Sequence, residues 1–526
     1  MEQFNNVLPD TKEENQSVTA VSDKGGNSPL LQKVRQNFGI FSSISLVFGG
    51  VFAFCFYKAG LGLNSLLFVL IMVALLILVM YKLEVPIKRV TVTYYAGAIL
   101  LGLSTMLTAS EVLQFLNTIG IMLLLDLSLL HQFHEDDHWD FLKHFGHMVG
   151  LVFQGIAAIG IPFIDCFHFF KNTKLIKNDK TKNIMIGIVI AVPLLWAITA
   201  LLSSADLLYK ELTKHINVFL FSPNIINEGF MVFIGFMACY CIICGAVSGT
   251  GEVKNFKSVK KGDPTIAFTT MSLLCLIYIV FCGIQLAYLF AGGLFVLPEG
   301  FTFAGYARRG FFELLTVTVI NIVLMLICTN LFGESKILKK ILTVITICTY
   351  IMIASAAYRM LLYIGAYNLT FLRLFVLLFL LIDALVLAGV IVSVFNKSFP
   401  LFRYCVVVVT VCYLIFSFGK PDYFIAAYHL DHTDVLEESD IAFLTGELSL
   451  DAAPVVLPLL SEQESRTKVI SNKYKDYDLS LLGNVLVYQS KNYYNRIAVQ
   501  EENRDIRDFN YSAYLASESA KQYPLK

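Results

Sequence analysis

Charge is scarce in this chain. Asp, Glu, Lys and Arg make up 15% of its 526 residues, against 56% hydrophobic ones, where a soluble domain carries about a quarter charged residues. That shortage excludes an ordinary solvated globular protein. The charges present cancel to a net +0, which leaves no bulk electrostatic basis for binding nucleic acid. Cysteine is missing from both tails: all 11 lie between Cys55 and Cys412 in apolar segments, which excludes a disulfide-stapled exported region. Cys241 and Cys244 have redox spacing but fall mid-run, where cysteine packs as a small residue. The first 36 residues lack the apolar stretch of a signal peptide and read as a disordered cytoplasmic tail. A Walker loop, a GxSxG elbow, a dinucleotide fingerprint and the kinase signatures are all missing, so no soluble enzymatic module is expected.

What the chain has is long apolar runs, and its mean hydropathy is +0.67. About 20 apolar residues cross a bilayer as a helix. Spans are predicted at 38–57, 61–81, 184–209, 226–250, 265–290, 314–332, 340–358, 371–395 and 403–418. The run 91–130 is long enough for two helices and breaks near Thr108–Ser110. The result is an all-α polytopic membrane protein of about eleven transmembrane helices within residues 37–418.

Segment 148–170 is apolar but carries Gln154, Pro162, Asp165 and His168. Basic residues near span ends stay cytoplasmic. The clusters are Lys33/Arg35, Lys82/Lys88/Arg89, Lys171 to Lys182, Lys254 to Lys261, Lys336/Lys339/Lys340 and Lys397/Arg403. All six share one side if 148–170 lies along the interface or re-enters. The expected topology therefore has the N-terminus inside, the C-terminus outside and 131–183 as a cytoplasmic or interfacial segment.

From Gly419 the composition changes. Residues 419–526 hold 17 Asp/Glu against 11 Lys/Arg and many tyrosines, too polar to enter the bilayer. They read as a small, mostly helical extracytoplasmic appendage resting on the bundle, with a short strand at 485–488.

Several residues could carry chemistry. Arg308 and Arg309 precede a span on the side where basic residues are disfavoured. Arg309 and Glu313 are four apart and can pair on a helix; alternatively the arginines hold a phosphate or carboxylate. Arg359 and Arg373 are expected at the same outer edge, with Asp206 and Glu228 nearby. Snorkelling pairs and an outward vestibule for a charged ligand both fit this set.

Asp383 stands alone mid-span, where a carboxylate costs about 2.5–3.5 kcal/mol on insertion scales. A polar clamp to Asn321 or Gln285 and proton coupling are the alternatives. Asp126 lies nearer the cytoplasmic edge. Five of the nine histidines fall between His131 and His147. His134-Glu-Asp-Asp-His138 matches HExxH literally, but with two acidic residues inside and no third ligand motif. It reads as a solvated polar loop with at most weak metal affinity, so no metal, cofactor or enzymatic activity is expected.

The string Tyr306-Ala-Arg-Arg-Gly-Phe-Phe-Glu-Leu314, the segment from Tyr358 to Leu374 and Trp139-Asp-Phe141 resemble bacterial multipass proteins of the domain-of-unknown-function family DUF4173, with its sister DUF4153. So do Pro421-Asp-Tyr-Phe-Ile-Ala-Ala-Tyr-His-Leu430, Leu450-Asp-Ala-Ala-Pro454 and Asp508-Phe-Asn-Tyr-Ser512. The resemblance covers roughly residues 80 to 515, and the chain departs from it in the histidine cluster. It implies a protein of the bacterial cytoplasmic membrane and supplies no activity.

The functional expectation is a permease-like, non-enzymatic protein that binds an anionic or lipid-linked ligand from the outer side. The alternative is a sensor or scaffold whose tail engages an envelope protein, and an intramembrane metalloprotease is a distant third. Partners are then the lipid bilayer and such a ligand or protein.

Overall fold

The structure is a computed structural model. It describes residues 28–136, 139–172, 223–248, 262–290, 311–333, 335–433, 436, 438–461, 479–502 and 505–524, with isolated positions between 184 and 205. Among these residues all regular secondary structure is helical, without a strand. Helices are what a bilayer dictates, because each backbone group must be satisfied within its own segment.

The first helices are α1 (Pro29–Gln36), α2 (Phe38–Phe56), α3 (Leu63–Leu83), α4 (Arg89–Leu107) and α5 (Glu111–Phe133). Ser28 starts α1: its hydroxyl accepts from Leu31 N at 3.1 Å, with Pro29 in the first turn. Leu31 and Val34 are buried, so the end of the expected disordered tail is a docked helix. Asn64 shapes the α2–α3 turn, donating to the carbonyls of Cys55 and Gly60 at 2.7 Å each and accepting from Gly62 N at 2.8 Å. The predicted break in 91–130 is realised as the turn Thr108–Ser110.

Next come α6 (Phe141–Ala157), one 3₁₀ turn, and α7 (Ile161–Asn172), then α8 (Pro223–Ser248), α9 (Pro264–Phe290), α10 (Phe311–Leu331), α11 (Lys336–Tyr367), α12 (Phe371–Phe395) and α13 (Leu401–Phe418). Eleven helices among the described residues are long and apolar enough to cross a membrane. Their membership differs from the expected set. Phe141–Lys171, 31 residues, is one of them, whereas the expected span 184–209 lies largely outside the described residues.

Lys33, Lys88 and Arg403 mark one end of the bundle, here the basic face. There Lys33 meets Glu84 at the end of α3 (2.6 Å), Lys88 meets the end of α5, and Arg403 at the start of α13 reaches the loop after α5. Phe141 packs on Phe402 at one end of the α6–α7 rod, 5.5 Å between centroids. Phe169 packs on Phe38 at the other, 5.3 Å. Phe402 and Phe38 both begin helices that start at the basic face, so the rod runs across that face. Where it crosses α8, Gly155 and Gly245 let the backbones touch, since a Cβ on Gly245 would stand 2.8 Å from Gly155 N.

Buried side chains form two cores. One gathers α1 to α6 with α8; the other gathers α9 to α12 with the C-terminal region. Polar contacts stitch them where α13 meets α4 and α5: Ser104 to Ser417 at 2.6 Å and Tyr413 to Asn117 at 2.8 Å.

The C-terminal region folds as α14 (Pro421–His432), α15 (Glu438–Ala442), α16 (Ala453–Ser461), α17 (Leu479–Glu502) and α18 (Tyr511–Gln522). The strand expected at 485–488 is instead part of α17, because the neighbours available for packing are helices. This region straps the end of the bundle opposite the basic face. Leu63 N donates to Phe509 O at 2.8 Å, Asn64 N to Arg507 O at 2.7 Å, and Ala109 N to Asp451 Oδ1 at 2.7 Å.

Candidate anion site at the basic face

The site begins where α5 ends. Lys88 donates to the carbonyls of His131 and His134, both at 2.7 Å, satisfying groups that a helix C-terminus leaves open. Gln132 ties the α3–α4 loop to the same point, donating to Pro86 O at 2.6 Å and accepting from Thr91 at 2.9 Å. The chain then extends and buries Asp136, which is 4% exposed. His131 Nδ1 lies 2.8 Å from one carboxyl oxygen and His144 Nε2 3.1 Å from the same atom. Arg403 donates to the other at 3.1 Å.

Burial alone would raise the Asp136 carboxyl. The hydrogen bonds from His131 and His144, with the charges of His131 and Arg403, outweigh it and hold Asp136 well below the usual carboxylate range. His144 also meets the Asp140 carbonyl through Nδ1 at 3.2 Å and stacks on Phe402, 4.6 Å between centroids. His144 thus ties Asp136 to the start of α6 and to the ring of Phe402.

Beside this cluster opens a cavity of about 490 Å³, in the size range of small-molecule sites. Lys339, Lys397 and Arg403 put positive charge on its wall, set against the carboxylates of Asp136, which Arg403 pairs, and Asp140; Leu338, Leu342 and Val394 line its apolar part. Asp140, Ser335 and Pro400 also border it. They are the N-cap residues of α6, α11 and α13, and none makes a side-chain cap hydrogen bond. Three helix N-termini thus bring amide dipoles to a basic cavity, an arrangement that favours an anion.

The residues singled out in the sequence fall elsewhere. Arg308, Arg309 and Asp206 lie outside the described residues. Glu313 is exposed in the first turn of α10 and Glu228 is exposed further along, near the start of α8. Arg359 does not stand at the outer edge, because α11 continues past it to Tyr367. It is 8% exposed and donates to Gln285 at 2.9 Å, where Ser355 also donates at 2.7 Å. Arg373 caps the end of α11, donating to the carbonyls of Tyr367 (2.6 Å) and Asn368 with its guanidinium 4.3 Å over the Tyr363 ring. Asn368 stops that helix with φ 61° and ψ −178°, a positive-φ conformation outside the αL well that is strained for any residue but glycine.

Asp383 is buried in α12, but the expected clamp to Asn321 or Gln285 is not made. Asn321 binds Tyr278 and Thr349 at 2.7 and 3.0 Å, and Gln285 binds Ser355 and Arg359. Thr318 lies within hydrogen-bonding reach of Asp383, whose Oδ2 has no partner among the described residues. Asp126 in α5 likewise keeps one buried, unpartnered oxygen.

The HExxH match loses its geometry. Helix α5 ends at Phe133 and His134 has an extended backbone, so 134–136 is not helical and the one-face spacing does not arise. His138 lies outside the described residues. Among those described, no group of three ligating side chains could hold a metal.

Sequence reasoning missed the cavity. Its signal was present in Lys336/Lys339/Lys340 and Lys397/Arg403, which served there only as topology markers, and in Trp139-Asp-Phe141. With the geometry in place, the comparisons add a family: residues 95–459 match the Domain of unknown function (DUF4153). The chain belongs to that family, which the resemblance had named second, after DUF4173. No curated protein and no solved structure matches the chain.

Proposed function

We propose that this multi-pass membrane protein is a non-enzymatic binding protein that holds an anionic ligand in the basic-face cavity. The observation that carries the reading is the convergence of Lys339, Lys397 and Arg403 with three N-termini lacking side-chain caps on one cavity. The ligand site suggested by the sequence lay at the opposite end, around Arg308, Arg309, Glu313, Arg359 and Arg373. There Arg359 and Arg373 serve Gln285 and helix-end carbonyls, which makes the basic face the better supported location. Native mass spectrometry of gently extracted protein tests this. The wild type is expected to carry a bound anion that Lys339→Glu/Lys397→Glu loses while eluting as a folded monodisperse species. A wild type with no bound anion sinks the proposal.

In this reading the basic face is cytoplasmic and the strapped end extracytoplasmic, as the charge bias of the clusters supports. Cysteines replacing exposed Glu518 and Glu135 separate the orientations in intact cells. Labelling at 518 with protection at 135 is expected from an impermeant thiol reagent, and the reverse pattern inverts the topology.

A scaffold role for the C-terminal region has its own support, because α14 to α18 grip two turns of the bundle. Such a strap would transmit a partner's pull to the spans.

A further inference from the structure

Resting on the cavity reading, we propose that the ligand is a phosphate-bearing anionic membrane lipid, drawn headgroup first from the leaflet at the basic face. The cavity is amphipathic: Lys339 and Lys397 bring positive charge and Ser335 a hydroxyl, while Leu338, Leu342 and Val394 continue the wall in apolar surface. A small soluble anion needs only the first set. A lipid uses both.

The α6–α7 rod places the cavity at headgroup depth. Phe145, Val149, Val152, Ile156, Ile159 and Phe163 are all exposed and recur three or four residues apart, forming one outward stripe. On a rod whose two ends both touch the basic face, that stripe dips into acyl chains while the rod stays in the plane of the membrane. Trp139 borders the cavity immediately before the rod. It stacks on His147 at 4.2 Å and carries Lys143 4.7 Å over its ring. An indole flanked by a cation is at home among lipid headgroups.

The test uses the full chain in an uncharged detergent and follows its melting temperature with phosphatidylglycerol, phosphatidylcholine and glycerol 3-phosphate as probes. Phosphatidylglycerol is expected to stabilise at concentrations at least ten-fold lower than either other probe. Lys339→Gln/Lys397→Gln should lose that effect, whereas Lys82→Gln, on the same face away from the cavity, should keep it. Glycerol 3-phosphate acting as well as the lipid, with both effects lost in the double variant, overturns the lipid proposal and leaves the anion site standing. Stabilisation that survives in the double variant places lipid elsewhere and overturns the proposal. No effect from any probe overturns both readings.

Discussion

Each end of the bundle buries aspartates, and the two ends use them in opposite ways. At the basic face Asp136 is surrounded by His131, His144 and Arg403, and a cavity opens beside it. At the strapped end Asp451 accepts from the Thr108 hydroxyl and from Ala109 N, and nearby Asp422 accepts from Ser449 N at 3.2 Å. Those partners are neutral and the surroundings are packed. Burying a charge among cations yields a charged site that can take part in ligand binding. Burying one among backbone amides and hydroxyls yields a joint.

The largest expected effect breaks the first arrangement. Asp136→Ala leaves Arg403 and two imidazoles around a hole and should destabilise the solubilised protein by about 3 kcal/mol, at the low end for a broken buried pair because Arg403 keeps part of its surface in solvent. Asp451→Ala removes two hydrogen bonds and should cost about 2 kcal/mol. The asparagine variants sharpen the contrast. Asp451→Asn keeps a carbonyl oxygen for Thr108 or Ala109 and should recover roughly half the loss, whereas Asp136→Asn leaves Arg403 facing a neutral amide and should recover little. Denaturant titrations of the four variants decide it, and equal rescue at both positions would erase the distinction between the two ends.

The bundle was legible in the sequence because hydrocarbon leaves the backbone so few choices: every long apolar run that the structure describes is helical, and the α4–α5 turn falls at Thr108–Ser110. Legibility failed where a local signal was overruled by distant partners. Val485–Tyr488 has the β-branched and aromatic character of a strand but lies in α17. The hydropathy run ends at Tyr358, yet α11 carries on because Arg359 finds Gln285 inside the bundle. The cavity was illegible for a different reason. Asp136, Ser335 and the pair Lys397/Arg403 come from three separate stretches of chain, and no local spacing records that the folded bundle brings them together.

The smallest effect is a difference in sign with pH. Burial pushes the His134 and His147 imidazoles below their usual value, with Lys88 adding to the effect on His134, and neighbouring His134 and Lys143 adding to that on His147. A group depressed in the folded state contributes stability above its unfolded value, about 6.5 here, and loses it as pH falls through the folded one. Asp136 follows the same rule from about pH 4 downward. Asp422 goes the other way. Burial raises its carboxyl, the nearby Asp451 adds to this, and the hydrogen bonds from Ser449 and Ser110 offset it only in part. Its stabilisation is present in acid and is lost as pH rises above about 4 through the raised folded value. Acidification from neutral pH to about 5 should therefore loosen residues 131–147 and tighten 421–460. Amide hydrogen exchange, corrected for intrinsic rates, reads both segments in one sample. Protection moving in the same direction at the two ends would show that the surroundings of these buried groups do not govern them as the geometry requires.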